Sequence, residues 1–254
     1  MDREIQDQFG AVAANYVTSA VHARGEDLPL LVEAAGLAGH ESVLDLGTAV
    51  GHTAFTFAPR VERVTGVDLT DEMLAQAREL ASARRVENVR FVRADVSDLP
   101  FDRASFDLVT SRYSAHHYAN PREVGYEIAR VLRPGGRVVL ADTVAPEDPA
   151  MDTFINAVEL LRDRSHVRDH SIAQWRAILA EAGLASEVYQ TWDLSLDFEE
   201  WVARMRTPSD AVALLRSLLV EAPRIARETF QIRSRDRLTF CLKCAIIRAW
   251  PAAL

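Results

Sequence analysis

Cysteine is scarce in this 254-residue sequence, which contains only Cys241 and Cys244. The two form an isolated Cys-x-x-Cys inside an apolar, β-like run, where positions three apart face opposite sides of a strand. That geometry disfavours a redox pair or a zinc site. We therefore expect two buried or half-buried thiols.

Long apolar runs and a basic charge balance are also missing. No run approaches the ~20 residues that span a bilayer, and the opening Met-Asp-Arg-Glu does not begin a signal peptide. We therefore expect a cytoplasmic protein without a membrane span. The formal net charge of −8 argues against nucleic acid as a partner, because phosphate binding needs a basic face.

Strands and helices alternate over the first half of the chain. The pattern predicts strands over residues 42–46, 62–67, 89–93, 106–110 and 137–142, and helices over 51–58, 70–84 and 121–132. Such alternation is typical of a parallel sheet with right-handed crossovers. Ligands of these sheets bind at the carboxyl ends of the strands.

The pattern changes after residue 142. It predicts helices over 150–165 and 171–183, a strand over 184–193, helices over 197–228 and a last strand over 237–248. We predict an α/β fold with a Rossmann-like, doubly wound, mostly parallel sheet whose last strand is antiparallel. One domain would span 1–254, with its core over about 40–145, 171–193 and 237–248. Residues 3–38, 150–170 and 197–228 would be helical lid segments.

The most informative stretch is residues 42–51, a buried strand that runs into a turn of small residues and then a helix. A second strand ends at the acidic Asp68, about twenty positions later, as in nucleotide-binding βαβ units. A dinucleotide site would need a small residue where His52 stands. The spacing Gly47-x-Ala49-x-Gly51 therefore favours a different nucleotide-like ligand.

Three further blocks accompany this turn in a defined order. After residues 43–51 (VLDLGTAVG) come 67–74 (VDLTDEML), 94–101 (ADVSDLPF) and 128–136 (IARVLRPGG). Together they resemble the class I S-adenosylmethionine (SAM) methyltransferases, especially the bacterial group related to ubiquinone and menaquinone biosynthesis. The resemblance implies SAM as cofactor and S-adenosylhomocysteine (SAH) as product.

The resemblance also implies where the cofactor would lie. The backbone of Gly47, Thr48, Ala49 and Gly51 would pass under the methionine part of SAM, with Asp45 near the ammonium group. Asp68 would hold the ribose hydroxyls.

The adenine ring would lie between two further groups of residues. Asp95 would accept a hydrogen bond from the adenine amino group beside Val96, while Leu69 and Met73 would pack on the other face. An alternative is that Asp95 only caps its turn and that Leu69 and Met73 are ordinary core residues.

Ala49 departs from the family pattern, which has glycine at this position. If the position requires a positive φ, alanine costs ~1 kcal/mol, and its methyl group would crowd the ligand. If φ is negative, the substitution costs little.

Two adjacent histidines are the predicted catalytic residues. His117 and His116 follow the fourth strand, and a histidine suits a general base because its pKa lies near neutral pH. We slightly favour His117. The alternative is that one of the two histidines has only a structural packing role while the other histidine is exposed to solvent. On the same loop, Arg112 would bind an anionic acceptor or a carbonyl of the cofactor loop.

Two polar clusters lie farther away. Tyr16, Ser19 and His22 recur at helical spacing and could close over the cofactor, or form a solvated helix face. The other cluster consists of Glu159, Asp163, His166 and His170. His166 and His170 could share a metal if helical, but the adjacent serines suggest a helix end there. We predict no metal, and expect an acceptor-pocket wall or a surface role for that cluster.

The leading hypothesis is an enzyme that methylates a small aromatic, quinol-like or specialised-metabolite acceptor. Methyl transfer depends mostly on aligning the acceptor with the methyl group and sulfur. The alternative is a SAM-binding cyclase, scaffold or regulator without methyl transfer. An NAD-dependent oxidoreductase is less favoured because of His52 and Asp95. The expected partner is a small molecule, and a homodimer is left open.

Overall fold

A computed structural model describes residues 25–252 together with Gln6, Phe9, Gly10 and Ala23. The helix α1 (Asp27–Ala35) ends at Gly36, whose left-handed φ of 56° suits a glycine C-cap. Most of the predicted helical segment 3–38, including Tyr16, Ser19 and His22, lies outside the described residues.

Five parallel strands form one side of the sheet. They are β1 (Ser42–Leu46), β2 (Arg63–Asp68), β3 (Val89–Arg93), β4 (Phe106–Arg112) and β5 (Leu132–Thr143), and their order in the sheet is β3–β2–β1–β4–β5. β1 is buried along its whole length, as expected for a strand covered on both faces. The strand order reverses between β1 and β4, and this switch point opens a crevice at the carboxyl ends of the two strands.

The connecting helices begin and end close to the predicted residues. They are α2 (His52–Phe57), α3 (Asp71–Arg84) and α4 (Pro121–Val131). A 3-10 turn that contains Pro59 follows α2. Asn120 caps α4 by accepting a hydrogen bond from the Glu123 N–H, and Pro121 suits the first helical position because it has no N–H to satisfy.

The second half of the chain adds helices and an antiparallel edge. The elements are α5 (Pro149–Arg162), α6 (Ile172–Glu181), β6 (Leu184–Asp197), α7 (Phe198–Arg204), α8 (Ser209–Val220), α9 (Arg224–Thr229), β7 (Arg233–Ser234) and β8 (Leu238–Pro251). β8 pairs antiparallel with β5 on one side and with β6 on the other, so the prediction of a mostly parallel sheet with an antiparallel end is confirmed.

Apolar side chains collect on both faces of the sheet and in a separate cluster beyond its edge. This outer cluster joins α5 and α7–α9 to the ends of β6 and β8, with Phe198, Trp201, Phe230 and Phe240 at its centre. The helices of the predicted lid segments are therefore packed against a sheet extension. This packing creates a second wall beside the crevice.

Cys241 and Cys244 both lie buried on β8 with free thiols, as expected. Their register partners on β6 are Ser195 and Trp192. Among the described residues, no helix combines the length and the apolar character needed to cross a bilayer.

Candidate active site

The turn between β1 and α2 is the floor of the crevice. Gly47 and Gly51 have φ values of 61° and 88°, in the left-handed region that glycine enters without steric cost. A Cβ on Gly47 would lie 1.9 Å from Ser114 Oγ, so a larger residue would collide with the loop after β4. The turn therefore presents bare backbone to a ligand.

Ala49 adopts a φ of 48°, so this position does use the left-handed region. The cost for a residue with a side chain is ~1 kcal/mol. The Ala49 N–H donates to Asp68 Oδ2 at 2.8 Å, which ties the turn to the end of β2. Alanine thus keeps the backbone shape that the family pattern builds with glycine.

Two carboxylates flank the turn, in different positions. Asp45 lies beneath it and accepts a hydrogen bond from Thr48 Oγ1 at 2.6 Å. Burial raises the pKa of Asp45 to about 7. Asp68 lines the crevice and accepts from the N–H groups of Ala49 and Thr70, and burial raises its pKa too. Asp68 is therefore placed to meet a ligand, whereas Asp45 supports the turn.

A cavity of about 180 Å³ opens above the turn, and we call it the first cavity. Asp45, Gly51 and His116 lie outside its wall, and the predicted Tyr16 contact lies outside the described residues. The predicted residues that do line it are Gly47, Thr48, Ala49, Asp68, Leu69, Met73, Asp95, Val96, Arg112 and His117.

Asp95 and Met73 combine a structural position with a place in this wall. Asp95 Oδ1 accepts from the N–H and the hydroxyl of Ser97 at 2.8 and 2.7 Å, so the side chain does cap its turn. Met73 is 1% exposed and belongs to a small apolar cluster. Both residues still face the cavity, so a structural position does not exclude a ligand contact.

Sequence reasoning missed part of the wall of the first cavity. Residues 118–120, 123 and 124 line it, and their position directly after the loop that follows β4 was the available signal. Phe9 also lines it, with its ring edge-on to His117 at 5.0 Å between centroids. No local pattern connects Phe9 to the loop that it contacts.

Arg112 forms a buried ion pair that the sequence does not reveal. Its guanidinium donates to both carboxylate oxygens of Asp27, at 2.5 and 2.9 Å. Both side chains are less than 5% exposed. The guanidinium also lies over the Tyr113 ring. Arg112 therefore joins the end of β4 to α1 while lining the first cavity.

His116 forms a charged pair with Asp142, the residue near the end of β5. His116 Nδ1 lies 2.6 Å from Asp142 Oδ1, while Asp142 Oδ2 accepts from the N–H groups of Ser114 and Ala115. Desolvation alone would lower the pKa of His116, but the Asp142 charge and hydrogen bond outweigh it and raise this pKa to about 9. His116 is therefore an imidazolium at neutral pH.

His117 has the opposite protonation state. Its Nδ1 lies 2.9 Å from the Ser165 carbonyl oxygen, and because a carbonyl only accepts, Nδ1 carries the hydrogen. Desolvation and the adjacent His116 charge lower the pKa of His117 to about 4. At neutral pH, Nε2 of His117 is therefore an unprotonated base.

A second cavity, of about 60 Å³, lies on the far side of the loop that follows β4 and carries His116 and His117. Tyr113 and His117 belong to the walls of both cavities. The wall of the second cavity combines apolar side chains with charged side chains that are buried or half-buried. Its remaining wall consists of His116, Thr143, Glu159, Arg162, Asp163, Leu194, Leu196, Trp201, Arg204 and Leu242.

The histidines considered as metal ligands have other partners. His166 Nε2 lies 3.1 Å from Asn156 Oδ1, and the His170 ring packs edge-on against Trp175. His116, Asp142 and Asp169 do bring potential ligand atoms within 4.8 Å of one another. In this group, Asp142 Oδ1 already accepts hydrogen bonds from His116 and from the Thr143 N–H. The three residues therefore belong to a hydrogen-bonded network.

Comparison with known proteins gives matches along almost the whole chain. A family model described as a methyltransferase domain matches residues 44–140. The uncharacterized methyltransferase YcgJ of Bacillus subtilis (strain 168) is 40% identical over 243 residues, which cover 94% of this chain and 96% of YcgJ. Its crystal structure superposes with a TM-score of 0.88, over 90% of this chain and 99% of that one.

Two other proteins extend the comparison. The structure of BH2331 from Bacillus halodurans C-125 has a TM-score of 0.86 at 35% identity, over 90% of this chain and all of that one. A demethylmenaquinone methyltransferase of Clavibacter sepedonicus is 38% identical over 123 residues, which are 46% of this chain and 49% of that protein. This last match is confined to half of each chain.

Proposed function

The chain belongs to the class I SAM-dependent methyltransferases, and from this premise we propose that it methylates a small-molecule acceptor held in the second cavity. It is an enzyme whose cofactor is SAM. The main support for an acceptor in the second cavity is the position of His117 in the wall shared by the two cavities.

The residues of the first cavity fit the cofactor. A Cβ at Gly47 would collide with Ser114, so the backbone of residues 47–49 lies bare for the methionine part. Each oxygen of Asp68 accepts one backbone N–H and keeps a second lone pair for a ribose hydroxyl. Asp95 and Val96 would hold the adenine, with Leu69 and Met73 on its other face. When bound, SAM supplies an activated methyl group on a good leaving group.

His117 would act as the general base. Its Nδ1 hydrogen is directed to the Ser165 carbonyl, which leaves the lone pair of Nε2 to take the proton that the acceptor loses. The imidazolium of His116, whose ring centroid lies 4.2 Å away, would stabilise negative charge that develops on the acceptor. The two adjacent histidines would thus have different roles.

The second cavity supports a small acceptor with an apolar side. Leu194, Leu196, Trp201 and Leu242 offer an apolar surface, and Glu159 and Arg162 offer polar contacts in the same wall as His117. An aromatic, quinol-like or specialised metabolite with an ionisable group fits this division. We further propose that the chain acts as one domain in the cytoplasm, with a homodimer as an open alternative.

The experiment measures methyl transfer from labelled SAM to a panel of small phenols, quinols, alcohols and amines, with wild type and His117→Gln. We expect both proteins to bind SAH with micromolar affinity in calorimetric titration. His117→Gln should lower kcat about 100-fold or more, because a positioned base contributes about 10²–10⁴. Asp71→Asn, which changes an exposed carboxylate on α3, should leave both quantities unchanged.

The pH dependence separates the two histidines. Because the pKa of His117 is about 4, its base form persists at every higher pH, and kcat should be flat from pH 6 to 8. Toward pH 9 kcat should fall, because His116, with a pKa of about 9, loses the charge that stabilises the acceptor. If His116 were the base, its pKa of about 9 would make the rate rise about tenfold per pH unit toward pH 9.

SAH binding without transfer to any acceptor would favour the alternative of a SAM-binding cyclase, scaffold or regulator.

A further inference from the structure

We propose that Asp163, directly after α5, is a positioning residue that sets the tautomer of His117 through Ser165. This inference rests on the proposed function, in which His117 is the base. Asp163 would then contribute to proton transfer indirectly, by orienting the base. A chain of hydrogen bonds runs from Asp163 through Ser165 to His117 and supports this role.

The first link holds a tight turn. Asp163 is 3% exposed, and its Oδ1 accepts from the N–H and the hydroxyl of Ser165 at 2.9 and 2.6 Å. The turn continues as the His166 N–H donates to the Asp163 carbonyl. Bonds of this kind from an aspartate to the residue two positions on stabilise turns. Asp163 therefore decides where both oxygen atoms of Ser165 lie.

The second link acts on the imidazole. The Ser165 carbonyl oxygen lies 2.9 Å from His117 Nδ1, and Ser165 Oγ lies 3.4 Å from the same nitrogen. Because the Ser165 hydroxyl hydrogen is directed to Asp163, Oγ can only accept on the side of His117. Two acceptors therefore face Nδ1 and favour the tautomer with hydrogen on that atom. Nε2 then holds the lone pair that a base needs.

The same loop also holds the neighbouring histidine. The His116 carbonyl accepts from the N–H groups of Val167 and Arg168 at 2.9 and 3.0 Å. The loop after α5 is thus hydrogen-bonded to both His116 and His117. In Ser-His-Asp sites a carboxylate bonds the histidine directly and fixes its tautomer. Here the carboxylate would do so through an intervening serine.

The charge of Asp163 suits this arrangement. Burial opposes its ionisation, but the charge that His117 gains when it is protonated at low pH and the two Ser165 donors together outweigh burial and hold the pKa of Asp163 below its usual value. An ionised carboxylate only accepts hydrogen bonds. The direction of the Ser165 hydroxyl is therefore set at neutral pH.

The test records long-range ¹H–¹⁵N NMR spectra of the histidine side chains in the SAH-bound protein at pH 7. Wild type should show one neutral His117 tautomer with Nδ1 protonated. Asp163→Ala should give a mixture of tautomers and lower kcat at least tenfold with little change in the KM for SAM. Asp163→Asn retains an acceptor oxygen and should restore most of the wild-type signature.

Two further variants separate positioning from general destabilisation. Asp148→Ala removes the N-cap of the same helix and should lower the melting temperature by about 2–4 °C without changing the tautomer. Asp163→Glu keeps the charge, but its side chain is one methylene too long for the turn, so it should also give mixed tautomers. This variant decides the question if Asp163→Ala does not fold.

The results distinguish this inference from the proposed function. If His117 keeps one Nδ1-protonated tautomer in Asp163→Ala, or in Asp163→Glu where Asp163→Ala does not fold, the positioning role is wrong, while an inactive His117→Gln would still support the base. If the tautomers become mixed but kcat is unchanged, His117 is not the base and the inference fails with it.

Discussion

At the scale of single residues, Ala49 shows how one position accommodates an unfavourable side chain. Its φ of 48° is uncommon for a residue other than glycine. The N–H bond to Asp68 and the flanking glycines hold the turn in this conformation. The backbone is therefore set by the turn as a whole, and the alanine bears a local conformational cost.

Ala49→Gly should relieve this cost. Removing the methyl group from a left-handed position gains ~1–2 kcal/mol, and the greater freedom of glycine in the unfolded chain takes back about 0.4–1 kcal/mol. We expect a gain of between zero and about 1.5 kcal/mol in the free energy of unfolding, measured by denaturant titration. SAH affinity should change less than threefold, because the turn already has the required shape.

Ala104→Gly is the matched control, since Ala104 is exposed and has a φ of 55°. It should give a similar gain in stability and no change in SAH affinity. A large loss of SAH binding in Ala49→Gly alone would show that the methyl group is a ligand contact.

The two histidines illustrate the limit of local information at this scale. They are adjacent in the chain, yet His116 bonds to Asp142 and His117 to the Ser165 carbonyl. These partners lie 26 and 48 positions away. The sequence therefore identified the pair but could not assign opposite protonation states to its members.

At the scale of elements, the Arg112–Asp27 ion pair joins α1 to the end of β4. Removal of one partner from a buried ion pair typically costs about 3–5 kcal/mol, because the remaining charge loses its compensation. We expect Asp27→Asn to lower the free energy of unfolding by about this amount in a denaturant titration. SAH binding should weaken as well, because Arg112 lines the first cavity.

The double variant Asp27→Leu with Arg112→Met provides the check. Replacement of both charges by apolar groups should recover much of the lost stability. Glu62→Gln, which disrupts an exposed pair with Arg63, should change stability by less than about 0.5 kcal/mol. Equal effects of Asp27→Asn and Glu62→Gln would contradict the structural importance of the buried pair.

At the scale of the whole molecule, β6 and β8 link the central sheet to the outer helical cluster. Each strand is 14 residues long, and the two pair antiparallel along almost their full length, with one register shift between Val188 and Gln190. One end of β8 contributes Phe240 and Leu242 to the outer cluster, while Ala245 and Ile247 lie in the core under the sheet. Continuous strands of this kind should couple the stability of the two regions.

Trp201→Ala tests this coupling. The residue is 1% exposed at the centre of the outer cluster, and its removal should cost about 3–5 kcal/mol. Scanning calorimetry should show one transition in wild type and one in the variant, shifted down by about 2–4 °C for each kcal/mol. Two separate transitions would mean that the outer cluster unfolds independently.

The sequence by itself determined the order and type of most elements and the location of the small-residue turn between β1 and α2. Small residues, strand-like apolar runs and helix caps act over a few positions, so they can be recognised locally. β1 and β3 follow this pattern and match their predicted bounds. β6 and β8 extend beyond theirs because their outer residues are stabilised by pairing with each other.

Only the tertiary structure decided which side chains share the site. It brought Asp27 to Arg112 and Ser165 to His117, and it formed the second cavity from α5, α7, β6 and β8. These contacts depend on how helices and long strands pack on the sheet. Local patterns carry no information about partners so far along the chain, and charge compensation and protonation depend on those partners.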